Sequence, residues 1–210
     1  MTVSTQAELL AAYAVGETSP GLSLLCASQI SIDPGVAAFV SLAEEIAGAA
    51  LRSEASDASM DFDAMMARLD DDAPLAGPDA AATVAGDPVF PQVLQSAAGG
   101  GAEDVPWRFR LPGLSEHVFP EFGDEKVSLL RGKPGSRVPQ HTHRGVEATL
   151  VLQGALKDGE RVLRRGDVSV CGTEHDHHPE VVGEEICYCL IVVDGKLHFT
   201  GRFGRALNLF

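Results

Sequence analysis

The chain is short of positive charge. Sixteen Lys and Arg face thirty Asp and Glu, a formal net charge of −14. Such a surface argues against nucleic acid or an anionic membrane as the direct partner, since both recruit basic faces. Also missing is any uninterrupted apolar run of the roughly 18 residues that a membrane-spanning helix needs. The first ten residues show no basic stretch followed by an apolar one, so no secretory signal is expected and the expected location is the cytoplasm. Cysteine is scarce: Cys26, Cys171, Cys187 and Cys189 include no CxxC pair and are too few for a disulfide scaffold. In a reducing compartment they are expected as thiols. No internal repeat is visible.

What is present changes character twice along the 210 residues, 45% of which are hydrophobic, enough for a proper core. Residues 1–69 read as about four helices. Thr5-Gln6-Ala7-Glu8 is a capping box ahead of Leu9, Leu10 and Tyr13. Ser19-Pro20 and Asp33-Pro34 each place a cap before a proline and so start a second and a third helix. The third would carry Val36, Phe39, Val40, Leu42, Ile46 and Leu51, and a short fourth would span 61–69. Residues 70–104, rich in Asp, Ala, Pro and Gly, read as a linker with at most a helical turn at 91–97. From 105 to 210 short alternating segments are separated by turn signals such as Lys133-Pro134-Gly135, Lys157-Asp158-Gly159 and Arg165-Gly166-Asp167. That pattern predicts an antiparallel sandwich or barrel.

Chemistry concentrates in this last part. His141 and His143 are two apart and project to one face of a strand. Glu147 follows Arg144-Gly145, where the chain can turn and bring the carboxylate back. A second segment, GDVSVCGTEHDHHPE from Gly166, carries His175, His177 and His178. Two imidazoles and a carboxylate from one hairpin with a third imidazole from a neighbouring strand make a site for one divalent metal. Zinc, iron, manganese and nickel all accept such ligands. Gly135, five residues, His141, one, His143, three, Glu147, six and Gly154 resemble the first cupin motif without a gap. Gly166, ten residues and His177 are similar to the spacing of the second, with Gly172 and Glu174 where proline and glycine are usual. The resemblance implies a double-stranded β-helix barrel with His141, His143, Glu147 and His177 as ligands. His175 and Glu174 would be supporting or sensing groups. Cys187 and Cys189 share one strand face and would be oxidisable near the metal if that face is the lumen.

A helical head, a linker and one C-terminal barrel resemble the ChrR-type anti-sigma factors. LLAAYAVGETSPGLSLLCASQISIDPG (9–35), HTHRGVEATLVLQGALKDG (141–159), GDVSV (166–170) and ICYCLIV (186–192) carry the likeness. It implies a head, residues 1–69, that grips an extracytoplasmic-function sigma factor, and a zinc-bearing cupin that senses oxidative stress or a small molecule. The family's head also holds zinc through an early histidine and an HxxxCxxC motif. The matching stretch here, Gln29-Ile30-Ser31-Ile32-Asp33-Pro34-Gly35-Val36, keeps no ligand. A structural zinc contributes ~10 kcal/mol to the folding of a small domain, so the Asp33-Pro34 cap and the apolar third helix are expected to offset part of its loss. Two other readings follow from the barrel alone. One is a dioxygenase-type metalloenzyme, and the other a non-catalytic small-molecule-binding cupin, with the last segment, 199–210, as a strand for homodimer pairing.

Overall fold

The computed structural model of the chain describes residues 4–53, 86–173, 175–195 and 197–200. The expected helix at 61–69, Glu174 and the pairing segment beyond residue 200 lie outside the described residues. Helices α1 (Gln6–Ala14), α2 (Pro20–Ile32) and α3 (Pro34–Ser53) begin where the caps place them. The Thr5 hydroxyl accepts from the Glu8 amide at 3.2 Å while the Glu8 carboxylate accepts from the Thr5 amide at 3.1 Å, closing the capping box. Asp33 Oδ1 accepts from the amides of Gly35 at 2.7 Å and Val36 at 3.4 Å.

Eleven strands follow among the described residues: β1 (Arg108–Leu111), β2 (Leu114–Phe119), β3 (Glu125–Gly132), β4 (His141–His143), β5 (Glu147–Gln153), β6 (Ala155–Asp158), β7 (Arg161–Arg164), β8 (Val168–Cys171), β9 (Glu180–Val182), β10 (Cys187–Asp194) and β11 (Leu197–Phe199). They form an antiparallel jelly roll. One sheet runs β1-β2-β3-β10-β5-β8, a second β7-β6-β9, and β4 pairs with β11.

Strand alternation divides the apolar residues between two cores. Inside the barrel, Val151 on β5 and Cys187 and Cys189 on β10 pack with Leu156, Leu163 and Val181. On the outer face, Ala148, Leu150 and Leu152 of β5 and Leu190 and Val192 of β10 pack with Leu9, Leu10, Leu24, Leu25 and Cys26 of the head. The head therefore lies on the back of the six-stranded sheet. Gly21 of α2 shows how closely: a Cβ there would stand 2.6 Å from Val127 Cγ2. The barrel also caps this helix from outside, because Glu125 accepts from the Ser19 hydroxyl at 2.5 Å and the Gly21 amide at 3.0 Å.

Two expectations change. Residues 86–104 are not a loose linker. They carry α4 (Gln92–Ala98), and Phe90, Leu94 and Ala102 are buried in the outer core. Asp87 ties the segment together by accepting from the amides of Val89, Phe90 and Ala102, and Arg165 donates to the carbonyls of Val89 and Leu152. Low periodicity concealed this, since a few large anchors and a multiply bonded aspartate hold it. Second, α3 buries Val36 and Val40 but leaves Phe39, Leu42, Ile46 and Leu51 exposed, Ile46 by 63%. The third helix therefore does little to replace a zinc. The head is tied to the barrel through α2, whose Gln29 is buried and donates to the Gly166 carbonyl at 2.8 Å. Among the described residues, both side-chain groups suited to a metal lie in the barrel and neither in the head.

Candidate metal centre

β4 and β5 deliver the motif. His141 and His143 turn to the same side of β4, both buried. The chain then reverses at Gly145, whose φ of +104° is a conformation open to glycine. A Cβ there would strike the Asp194 carbonyl, and Gly195 faces the Arg144 carbonyl in the same way. These two glycines let the β4–β5 and β10–β11 turns touch, and Glu147 returns to the histidines at the first position of β5. His177 arrives opposite His141 through a two-way backbone bridge, N–H to O at 3.0 and 3.1 Å. Their rings stand 4.4 Å apart.

Glu147 Oε2 lies 3.6 Å from His141 Nε2, and Oε1 lies 3.6 Å from His177 Nε2. Ligand atoms of these three residues all fall within 4.8 Å of one another. The His143 ring is 5.7 Å from that of His177 and 6.5 Å from that of His141. Three of the expected ligands, His141, Glu147 and His177, are thus brought within range of one another in a buried pocket, and buried His143 stands beside them.

The donor set fits a divalent cation for a specific reason. Each imidazole has its Nδ1 engaged: His141 with the Pro139 carbonyl at 2.8 Å, His143 with the Gly145 carbonyl at 3.2 Å and His177 with Asp158 Oδ2 at 3.0 Å. An acceptor at Nδ1 holds the proton there and leaves the Nε2 lone pair free. His143 Nε2 and His177 Nε2 are buried without any hydrogen-bond partner. Buried polar atoms are rarely left so, and a metal ion would answer both.

Ionisation follows from the same contacts. Burial opposes the Glu147 charge, yet the three histidines hold its carboxyl below the usual range. Burial also pushes His143 down, toward the neutral ligand form, against the pull of Glu147. For His177 burial acts downward too, but Asp158 and Glu147 outweigh it and raise the value.

The other candidates divide. His175 is exposed, its ring 5.5 Å from that of His177, beside the pocket rather than in it. Cys187 and Cys189 do face the barrel interior, in register with β5 residues on the Glu147 side (Cys189 opposite Val151, Val193 opposite Glu147). Their sulfurs are 3.6 Å apart, and the bond from Cys187, with burial, pushes the Cys189 thiol well above its ordinary value. Sequence reasoning missed two residues. Asp158 was read only as the middle of a Lys-Asp-Gly turn, yet its carboxylate orients His177. Cys171 was passed over, although it ends β8 directly opposite Glu147.

Residues 96–197 match the ChrR cupin-like domain. Over 96% of this chain and 94% of the relative, the sequence is 33% identical to anti-sigma-E factor ChrR of Cereibacter sphaeroides. A chain in the crystal structure of Rhodobacter sphaeroides SigE in complex with the anti-sigma ChrR superposes with a TM-score of 0.75 at 28% identity, covering 90% of this chain and 97% of that one. The likeness runs through head and barrel alike, and the chain belongs to the ChrR family of anti-sigma factors.

Proposed function

We propose that the head, α1 to α3, binds an extracytoplasmic-function sigma factor and that a metal ion in the barrel, zinc before iron, manganese or nickel, governs its release in the cytoplasm. The observation that carries the reading is the uncovered face of α3. Phe39, Leu42 and Ile46 form one apolar stripe at helical spacing on a chain that is 33% identical to an anti-sigma factor along nearly its whole length. By length and composition Pro34–Leu51 would also pass as a membrane span, with a mean hydropathy of 1.3. Exposed Glu44 and Glu45 sit beside the stripe at mid-helix, and each acidic group costs roughly 3 kcal/mol at a bilayer centre. A protein groove with a polar rim suits such a face better.

The four ligands would hold the ion, His141, His143 and His177 through Nε2 and Glu147 through its carboxylate. A bound ion of this class supplies charge and fixed geometry to the barrel mouth. Oxidative stress or a small molecule entering the barrel would disturb that geometry. A change of about 3 kcal/mol moves an equilibrium by about two decades.

The test is capture of the tagged full-length chain from its own cells, with elemental analysis of the same sample. A sigma factor in near-equal amount supports the reading, and its absence refutes it. Ile46→Lys should lower sigma capture at least tenfold with unchanged thermal stability, because the side chain is exposed. His141→Ala with His143→Ala should empty the four-ligand pocket and remove the response to signal while sigma binding persists.

A further inference from the structure

The barrel presents a second group of ligating side chains that shares only His177 with the four-ligand pocket. Ligand atoms of Asp158, Cys171, His175 and His177 all lie within 4.8 Å of one another. Three parts of the chain supply them: the end of β6, the end of β8 and, for both histidines, the loop that follows. Carboxylate, thiol and two imidazoles are the donors of a four-coordinate zinc-type site. An independent sign points to a missing ligand. Asp158 uses Oδ2 to hold His177, but its Oδ1 is buried without a partner, on a side chain only 9% exposed.

We propose that Asp158, Cys171, His175 and His177 form a second cation site, adjacent to the first, that takes a thiophilic divalent ion of the zinc class. His177 stands between the two. Its Nε2 lies 3.6 Å from Glu147 Oε1 and its Nδ1 lies 3.0 Å from Asp158 Oδ2, one nitrogen toward each pocket. Exposed His175 opens the second site to solvent and gives the ion a way in. With both ions bound, His177 would bridge them as an imidazolate, its Nδ1 proton and the Cys171 thiol proton passing to solvent, so that Glu147, Asp158, the thiolate and the imidazolate set four negative charges against two divalent ions. Among the described residues, the Cys171 sulfur has one hydrogen-bond partner, Ser169 Oγ at 3.6 Å. Burial disfavours a free thiolate at this position, and a bound cation is what would stabilise one.

The sharing of His177 has a consequence. An ion in the second site competes with the Nδ1–Asp158 bond that orients His177 for the first, so loading one site changes affinity at the other. Such coupling is reciprocal. The site would then respond to metal supply or to an agent that captures the Cys171 sulfur.

The metal-free, reduced full-length chain titrated with Co²⁺ tests this, alongside equilibrium dialysis against Zn²⁺. The four-ligand pocket contains no sulfur, so a thiolate-to-cobalt charge-transfer band reports the second site alone. Two ions per chain are expected, with the band accompanying one of them. Cys171→Ser and His175→Ala should each lose the band and one ion while keeping the other. His141→Ala with His143→Ala should keep the band and one ion. One ion per chain without a band overturns the second site and leaves the four-ligand reading standing. A band that survives in Cys171→Ser comes from another thiol and overturns it equally. Loss of all binding in the His141, His143 double variant shows that the second group cannot hold an ion on its own and also refutes the proposal.

Discussion

Asp158 offers the sharpest test of how the centre is built. Of the three acceptors that fix the imidazoles, those for His141 and His143 are backbone carbonyls, beyond the reach of substitution. Only His177 is held by a side chain, at 3.0 Å and nearly out of solvent. Removing such a partner weakens a metal site about 10–100-fold, equivalent to about 1.4–2.8 kcal/mol. Two substitutions separate its roles. Asn keeps an oxygen acceptor for Nδ1–H and loses the charge, so Asp158→Asn should fall at the tenfold end. Ala removes both, so Asp158→Ala should approach a hundredfold. Zn²⁺ affinity would be measured by competition with a chromophoric chelator in a Cys171→Ser background, so that only the four-ligand pocket is counted. Equal affinity in parent, Asn and Ala variants would refute the idea that this contact prepares His177 for an ion.

Three further outcomes follow from the packing. Gly145→Ala should lower metal affinity at least tenfold and reduce thermal stability, since its Cβ has no room beside Asp194 and the turn carries both His143 and Glu147; a variant with parental affinity would contradict this. Glu125→Ala should cost about 1–2 kcal/mol through the lost cap on α2, a fall of roughly 2–8 °C in melting temperature for a chain of this size, read by calorimetry. Glu116 is almost fully buried between Lys126 Nζ at 2.6 Å and Arg110 Nε at 2.5 Å. Burial opposes its charge, but the two cations hold its carboxyl below the usual range. A depressed value in the folded state gives stability above the unfolded value that is lost as pH falls through the folded one. Glu116→Gln should therefore cost about 1–2 kcal/mol at neutral pH, and denaturation curves of variant and parent should converge below about pH 4.

The barrel was largely legible because its signals are local. Turn residues fall between strands, and His141, His143 and Glu147 are joined by a hairpin whose spacing puts them together. His177 needed the motif spacing, and the structure adds a reason: its backbone pairs with that of His141. Asp158 and Cys171 escaped because they reach the pocket only through cross-strand register, which one strand's sequence does not display. The segment from Asp87 to Val105 escaped because Phe90 and Leu94 anchor it singly rather than periodically. For α3 the limit is physical. An amphipathic pattern says that a helix has an apolar face, but not whether its own chain or another covers it.

The wall between the two cores is one residue thick. Along β5, Glu147, Thr149 and Val151 look into the barrel, while Ala148, Leu150 and Leu152 press on the head. Both sets hang from one backbone. A strand cannot let Glu147 relax without tilting Ala148 in the outer core, so an event at the ion need not travel through a chain of intermediaries to be felt by the helices. The sheet acts as a drumskin, struck on one side and heard on the other.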